Sequence, residues 1–174
     1  MQAFFDIDTQ IDFVFPAGAL YAPGAERVIP AVTKLNRAGP HVISTMCAHP
    51  ENAAEFKVWP PHCVVGTVGQ QKPAATRSGQ IIVEKNALDP FSNPSMDDLL
   101  KDLGIDECYV YGVLLEYCVQ HALMGLLKRG RNVWLVTDAT THLSEQAGRK
   151  VIDDFEAAGG RLIQSGQIPI RLAS

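Results

Sequence analysis

The sequence is short of the features that mark several protein classes. Nowhere do roughly 18 apolar residues follow one another, so no membrane-spanning helix is expected. Lys and Arg number 15 against 19 Asp and Glu, for a net charge of −4, and they are scattered rather than gathered into a stripe. Nucleic acid is therefore not an expected partner. The opening MQAFFDID carries acid where a signal peptide would carry a basic and then apolar run, so the expected location is cytoplasmic. Cysteine is sparse: Cys47, Cys63, Cys108 and Cys118, without a CxxC pair. That pattern excludes a disulfide framework and leaves free thiols for packing, catalysis or metal binding. No internal repeat or low-complexity run is present.

The 174 residues include 47% hydrophobic ones, and a chain of this size can bury about 70% of its unfolded surface. One domain over 1–174 is the expectation. Its pattern alternates. Strands are expected over Ala3 to Asp8, His41 to Met46, Ile81 to Glu84, Glu107 to Leu114, Asn132 to Thr137 and Arg161 to Gln164. Helices are expected over Gly24 to Ala38, Ser95 to Leu103, a segment containing Cys118 and running to Lys128, and Leu143 to Ala158. Strand–helix alternation implies an α/β fold, a Rossmann-like three-layer arrangement with a parallel sheet between two layers of helices. The stretch from Cys47 to Gly79, rich in Pro, Gly and His, breaks the regularity. Loops beyond roughly 15 residues in a compact domain are usually functional.

In open parallel sheets the ligand site lies outside the carboxyl ends of the strands. The first strand ends at Asp8, the second runs into Cys47 and His49, the third ends at Lys85, and the fourth leads to Cys118. An acid, an amine and a thiol thus meet on one rim, as a nucleophile with an acid/base partner and a balancing charge. Cys118 falls in the expected first turn of a helix, where unpaired N–H groups and the macrodipole favour a thiolate. Two other readings are open at this point. FFDIDTQ fits the strand-end DxDx[TV] of haloacid-dehalogenase-type phosphatases, with Asp6 as nucleophile, Asp8 as acid, Thr45 as hydroxyl and Lys85 as phosphate partner. That chemistry needs carboxylates after the fourth strand, and GVLLEYC offers Glu116 alone. Alternatively, the rim shapes a non-catalytic binding pocket.

Four ordered stretches resemble the isochorismatase-like cysteine hydrolases, within them the nicotinamidase branch: DTQIDF (Asp8 to Phe13), WPPHCVVGTVG (Trp59 to Gly69), VEKN around Lys85, and GVLLEYCV. The resemblance implies hydrolysis of a small planar amide such as nicotinamide, or an N-carbamoyl relative, with Asp8, Lys85 and Cys118 as catalytic triad. It implies an oxyanion hole from the N–H groups of Leu114 and Cys118 and a cis peptide between Val113 and Leu114. It further implies a ring clamp by Phe13 and Trp59, with Leu114 and Tyr117 completing the substrate pocket. The chain departs from the family at its metal site, where Asp-x-His becomes Cys47-x-His49. Cys47, His49 and His62 form a set that suits Zn²⁺, which Glu55 could close. Leu114 and Leu115 replace small or polar residues and are expected to grease the pocket. A homo-oligomer is compatible with all of this.

Overall fold

Six apolar stretches form one sheet, described here from a computed structural model over residues 1–170. They are β1 (Gln2–Ile7), β2 (Val42–Cys47), β3 (Ile81–Lys85), β4 (Glu107–Gly112), β5 (Asn132–Thr140) and β6 (Arg161–Ile163). All pairings are parallel and the order is β3-β2-β1-β4-β5-β6. β1 is buried along its whole length, as a strand covered on both faces must be.

Five helices connect and cover the strands: α1 (Ile11–Val14), α2 (Ile29–Ala38), α3 (Ser95–Asp102), α4 (Gln120–Lys128) and α5 (Glu145–Ala157). Alternation along β1 divides the core. Ala3, Phe5 and Ile7 pack with Met96, Leu100, Leu123, Leu126 and Phe155 from α3, α4 and α5. Phe4, on the opposite face, packs with Val32 and Leu35 of α2 and with Tyr109 and Tyr111. The expected three layers are the observed ones.

The boundaries move where local chemistry decides them. Gly24 to Ala38 is not one helix: a tight turn over Ala25–Val28 precedes α2, whose first turn takes Pro30, a favourable place for proline. β4 stops at Gly112, whose φ of 120° and close approach to Ile7 O leave no room for a Cβ. Beyond it Val113–Leu114 is a cis peptide, and the chain turns through Leu115–Val119 before α4 starts at Gln120. The kink lies at Tyr117, whose dihedrals are not helical, so Cys118 stands at the head of the helical run into α4, where it was expected.

The order of strands reverses direction between β1 and β4, the topological switch point at which such sheets bind ligands. The segment between β2 and β3 folds over that point with two short turns, Ala54–Lys57 and Ala74–Thr76. It is fastened to α1. Asp12 Oδ2 accepts from Cys63 N at 2.7 Å, Asp12 N donates to Gly69 O, and Gln10 Nε2 donates to Gln70 O. Gly69 lies so near the Asp12 carboxylate that a Cβ would sit 2.1 Å from Oδ2.

Candidate functional site

The last step out of β1 is left-handed: Asp8 has φ 49°, a conformation that Asp tolerates better than most residues. It turns the carboxylate over the strand ends. There Asp8 Oδ2 lies 2.7 Å from Lys85 Nζ, and Thr45 Oγ1 donates to Oδ1 at 2.6 Å. Lys85 Nζ donates to Cys118 Sγ at 3.4 Å and to Ala87 O at 3.0 Å. Asp8 and Lys85 are buried, with 0% of either side chain exposed. The three rim residues anticipated from the strand ends do converge.

Burial disfavours charge on both members of the pair, yet each is opposed by its partner. For Asp8 burial pushes the pKa up, and the Lys85 charge with hydrogen bonds from Cys118, Lys85 and Thr45 outweighs it, leaving the carboxyl below its ordinary value. Burial pulls Lys85 down, and Asp8 with the two thiols carries it well above its ordinary value. The Cys118 thiol is raised well above the usual range by its hydrogen bond with Cys47, by burial and by the Asp8 charge, against the opposing pull of Lys85. The resting cluster is thus carboxylate, ammonium and thiol. A thiolate favoured by the helix dipole was the expectation; the bond with Cys47, burial and the facing carboxylate outweigh the dipole.

Around the turn, Val113 N donates to Ile7 O and Leu115 N to Thr141 O, while the Leu114 N–H between them has no acceptor among the described residues. Glu116 fixes the turn from outside, its Oε1 accepting from Leu143 N at 2.7 Å and Ser144 N at 2.9 Å. Its Oε2 is buried without a partner among the described residues, but Glu116 belongs to neither cluster of ligand-type side chains and so does not supply the Mg²⁺ ligand that a phosphatase needs. Asp6 is likewise engaged: Thr9, Asn36 and Ser44 hydrogen-bond it and Lys72 pairs with it at 2.9 Å. A residue so enclosed is no nucleophile, and the phosphatase reading falls.

Two clusters of ligand-type side chains are present among the described residues: Asp8, Cys47 and Cys118, and separately His49, Glu55 and His62. Cys47, expected beside His49 and His62 as a Zn²⁺ ligand, belongs to the first cluster and not to theirs. Extended backbone gives out at Cys47, the last residue of β2. Period two puts Cys47 on the face of Thr45, and in the register of β2 with β3 it stands opposite Lys85. Its Sγ lies 3.3 Å from Lys85 Nζ and 3.6 Å from Asp8 Oδ2. His49 instead pairs with the loop, its N–H donating to Cys63 O and its carbonyl accepting from Val65 N.

Glu55 takes the place meant for Cys47. Its Oε1 is 3.3 Å from His49 Nε2 and 3.2 Å from His62 Nε2. Each ring uses its other nitrogen elsewhere, His49 Nδ1 with the Asn86 side chain and His62 Nδ1 with Pro60 O. His49 Nε2 is buried without a hydrogen-bond partner. Burial above all holds the His62 pKa below its ordinary value, so the ring is neutral. Two imidazoles held by their far nitrogens and a carboxylate facing them fit a divalent metal such as Zn²⁺.

Both clusters open into one cavity of about 110 Å³, lined mostly by apolar atoms. Phe13, Trp59, Leu114 and Tyr117 all line it, with Trp59 and Tyr117 edge to face at 5.9 Å. Leu115 does not: it is buried in the core behind the turn, so only Leu114 greases the pocket. Two further residues belong to the site beyond those expected from the sequence, Asn86 through its bond with His49 and Leu143 in the cavity wall. Asn86 follows Lys85 directly, a spacing that alone puts it at the strand end beside the histidines.

The sequence matches the isochorismatase domain over residues 2–167. The nicotinamidase of Escherichia coli (strain K12) is 26% identical over 195 residues, covering 90% of this chain and 91% of that one. Among solved structures, PnC1 from L. infantum in complex with nicotinate gives a TM-score of 0.90 at 26% identity, covering 95% of this chain and 93% of that one. The pyrazinamidase of Pyrococcus horikoshii in complex with zinc gives 0.87 at 28%, covering 94% and 98%.

Proposed function

The chain belongs to the isochorismatase family, and from that premise we propose that it is an amide hydrolase working through a thioester on Cys118, with nicotinamide the leading substrate. The observation that carries this reading is the convergence of buried Asp8 and Lys85 on Cys118, which lines the cavity beside the aromatic side chains of Phe13, Trp59 and Tyr117. A nicotinamidase and a nicotinate-bound structure among its relatives point the same way.

The chemistry follows from the charges. Cys118 Sγ attacks the amide carbon while its proton passes to Asp8, so the cluster exchanges carboxylate and thiol for acid and thiolate without changing its net charge. Lys85 faces both partners and stabilises whichever is anionic. Asp8 returns the proton to the departing ammonia, then takes one from water, whose oxygen cleaves the thioester and frees the carboxylic acid. The N–H groups of Leu114 and Cys118 would hold the oxyanion, each worth roughly 3 kcal/mol at comparable sites. Phe13, Trp59 and Tyr117 would clamp the ring and exclude water. His49, Glu55 and His62 would hold Zn²⁺, which when bound supplies an open coordination position for a substrate heteroatom or water.

Among the described residues no helix is long and apolar enough to cross a membrane. The four cysteines are free, which supports a reducing, cytoplasmic setting. Ammonia release over nicotinamide, pyrazinamide and N-carbamoyl compounds tests the whole reading. Release from nicotinamide or pyrazinamide is expected; release from N-carbamoyl compounds alone would keep the mechanism and change the substrate. Inertness toward every amide would defeat the proposal.

A further inference from the structure

Cys47 has no part in this hydrolysis, yet its sulfur sits inside the cluster. Cys47 Sγ, Cys118 Sγ and a carboxylate oxygen of Asp8 lie within 4.8 Å of one another. Both thiols accept from the same ammonium, Lys85 Nζ, at 3.3 and 3.4 Å. The backbone of Cys47 is clamped on both sides by one side chain: its N–H donates to Gln10 Oε1 at 2.7 Å, and its carbonyl accepts from Gln10 Nε2 at 2.8 Å. Both sulfurs line the cavity, whereas Cys63 and Cys108 are wholly buried and do not.

We propose that Cys47 is a resolving thiol: a small hydroperoxide entering the substrate cavity oxidises Cys118, and Cys47 traps the product as an intramolecular Cys47–Cys118 disulfide that halts hydrolysis until a dithiol reduces it. In the first step Cys118 sulfur gives two electrons to the peroxide O–O bond. The Cys118 proton passes by way of Asp8 to the departing oxygen, so one oxygen stays on sulfur as sulfenic acid and the other leaves as water or alcohol. In the second step Cys47 sulfur attacks the sulfenic sulfur, the S–O bond breaks, and the departing oxygen leaves as water with the Cys47 proton. Two thiols and one hydroperoxide thus yield a disulfide, one water and a second water or alcohol. An S–S bond of about 2.05 Å requires the sulfurs to close up. Gln10 fixes Cys47, so the moving side is the Leu115–Val119 turn, which lies outside the sheet. Closure withdraws the nucleophile from Asp8 and Lys85.

Formation of the disulfide needs only this geometry; its effect on turnover rests on Cys118 being the nucleophile. The test treats the whole protein as purified with a few-fold excess of hydrogen peroxide, quenches with iodoacetamide, and follows intact mass, peptide mapping and ammonia release together. The expected result is loss of two hydrogens, a linkage mapped to Cys47 and Cys118, loss of activity, and near-complete recovery with dithiothreitol. In Cys47→Ser and Cys47→Ala, Cys118 should run on to sulfinic and sulfonic acid, and dithiothreitol should restore little of each variant's own starting activity. Over-oxidised Cys118 without a linkage in the wild type, a linkage through Cys63, or equal recovery by the Cys47 variants would overturn the proposal. Continued turnover by fully linked protein would overturn its inhibitory half together with the nucleophile role of Cys118. If no amide is hydrolysed before oxidation, the functional reading fails alone, and the mapping still judges the disulfide.

Discussion

Asp8 is asked to be ionised at rest and to accept a proton within a turnover, and its neighbours explain how one side chain does both. Lys85 and Thr45 hold the carboxylate charged, and Lys85 also waits beside the sulfur that becomes charged in its place. Asp8→Asn keeps the shape and removes the base. Its acylation burst, followed by stopped-flow ammonia detection, should fall by about 10²- to 10⁴-fold, the usual share of a general acid/base. A near-native burst would remove Asp8 from this role. Cys118→Ala should abolish turnover while leaving the circular dichroism spectrum unchanged, because a side chain lining an open cavity can be trimmed at little structural cost. Iodoacetamide should modify Cys118, which lines the cavity, well ahead of Cys108, which is sealed in the core; equal rates would contradict the assigned cavity.

At the scale of elements, the segment between β2 and β3 brings the histidines and Trp59 to the rim, and it is tied down by α1 as well as by the sheet, where Lys72 pairs with Asp6 of β1. Gly69→Ala drives a methyl into the Asp12 carboxylate. The expected outcome is a raised KM with a much smaller change in kcat, since the ring clamp loosens while the triad stays on its strands; a loss confined to kcat would point instead to damage within the cluster. Glu55→Ala should lower the zinc content of purified protein by elemental analysis, whereas Cys47→Ser should not, because Cys47 belongs to the other cluster. The strands and the meeting of Asp8, Lys85 and Cys118 on one rim were legible in the sequence because apolar runs and strand ends are local signals. The allocation of Cys47 was not, because it depends on the residue where β2 stops being extended and on its register against β3, which is a long-range fact. The kink before α4 escaped for a related reason: no apolar pattern marks Tyr117 as the residue at which the backbone leaves helical dihedrals.

At the scale of the whole molecule, the buried ion pair shapes stability against pH. The lowered Asp8 pKa contributes stability that is fully present above the ordinary carboxylate value of 3.8 and is lost as pH falls through the folded value. The raised Lys85 pKa contributes stability fully present below 10.5 and lost as pH rises through its folded value. Urea midpoints of the wild type minus those of Asp8→Asn should therefore form a plateau across neutral pH that shrinks below about pH 4. A difference that instead grew in acid would reverse the assigned sign. The seam between β1 and β4 carries one more consequence. Asp8, Lys85 and the histidines all come from the strands on one side of that seam, and Cys118 with its turn comes from the other, so the first half of the chain holds a base without a nucleophile and the second a nucleophile without a base. Each is mute alone. A polypeptide cut within the exposed Ser92–Ser95 stretch would regain ammonia release only as its two pieces found each other across β1 and β4, making turnover a reporter of association between any two proteins to which the halves were fused.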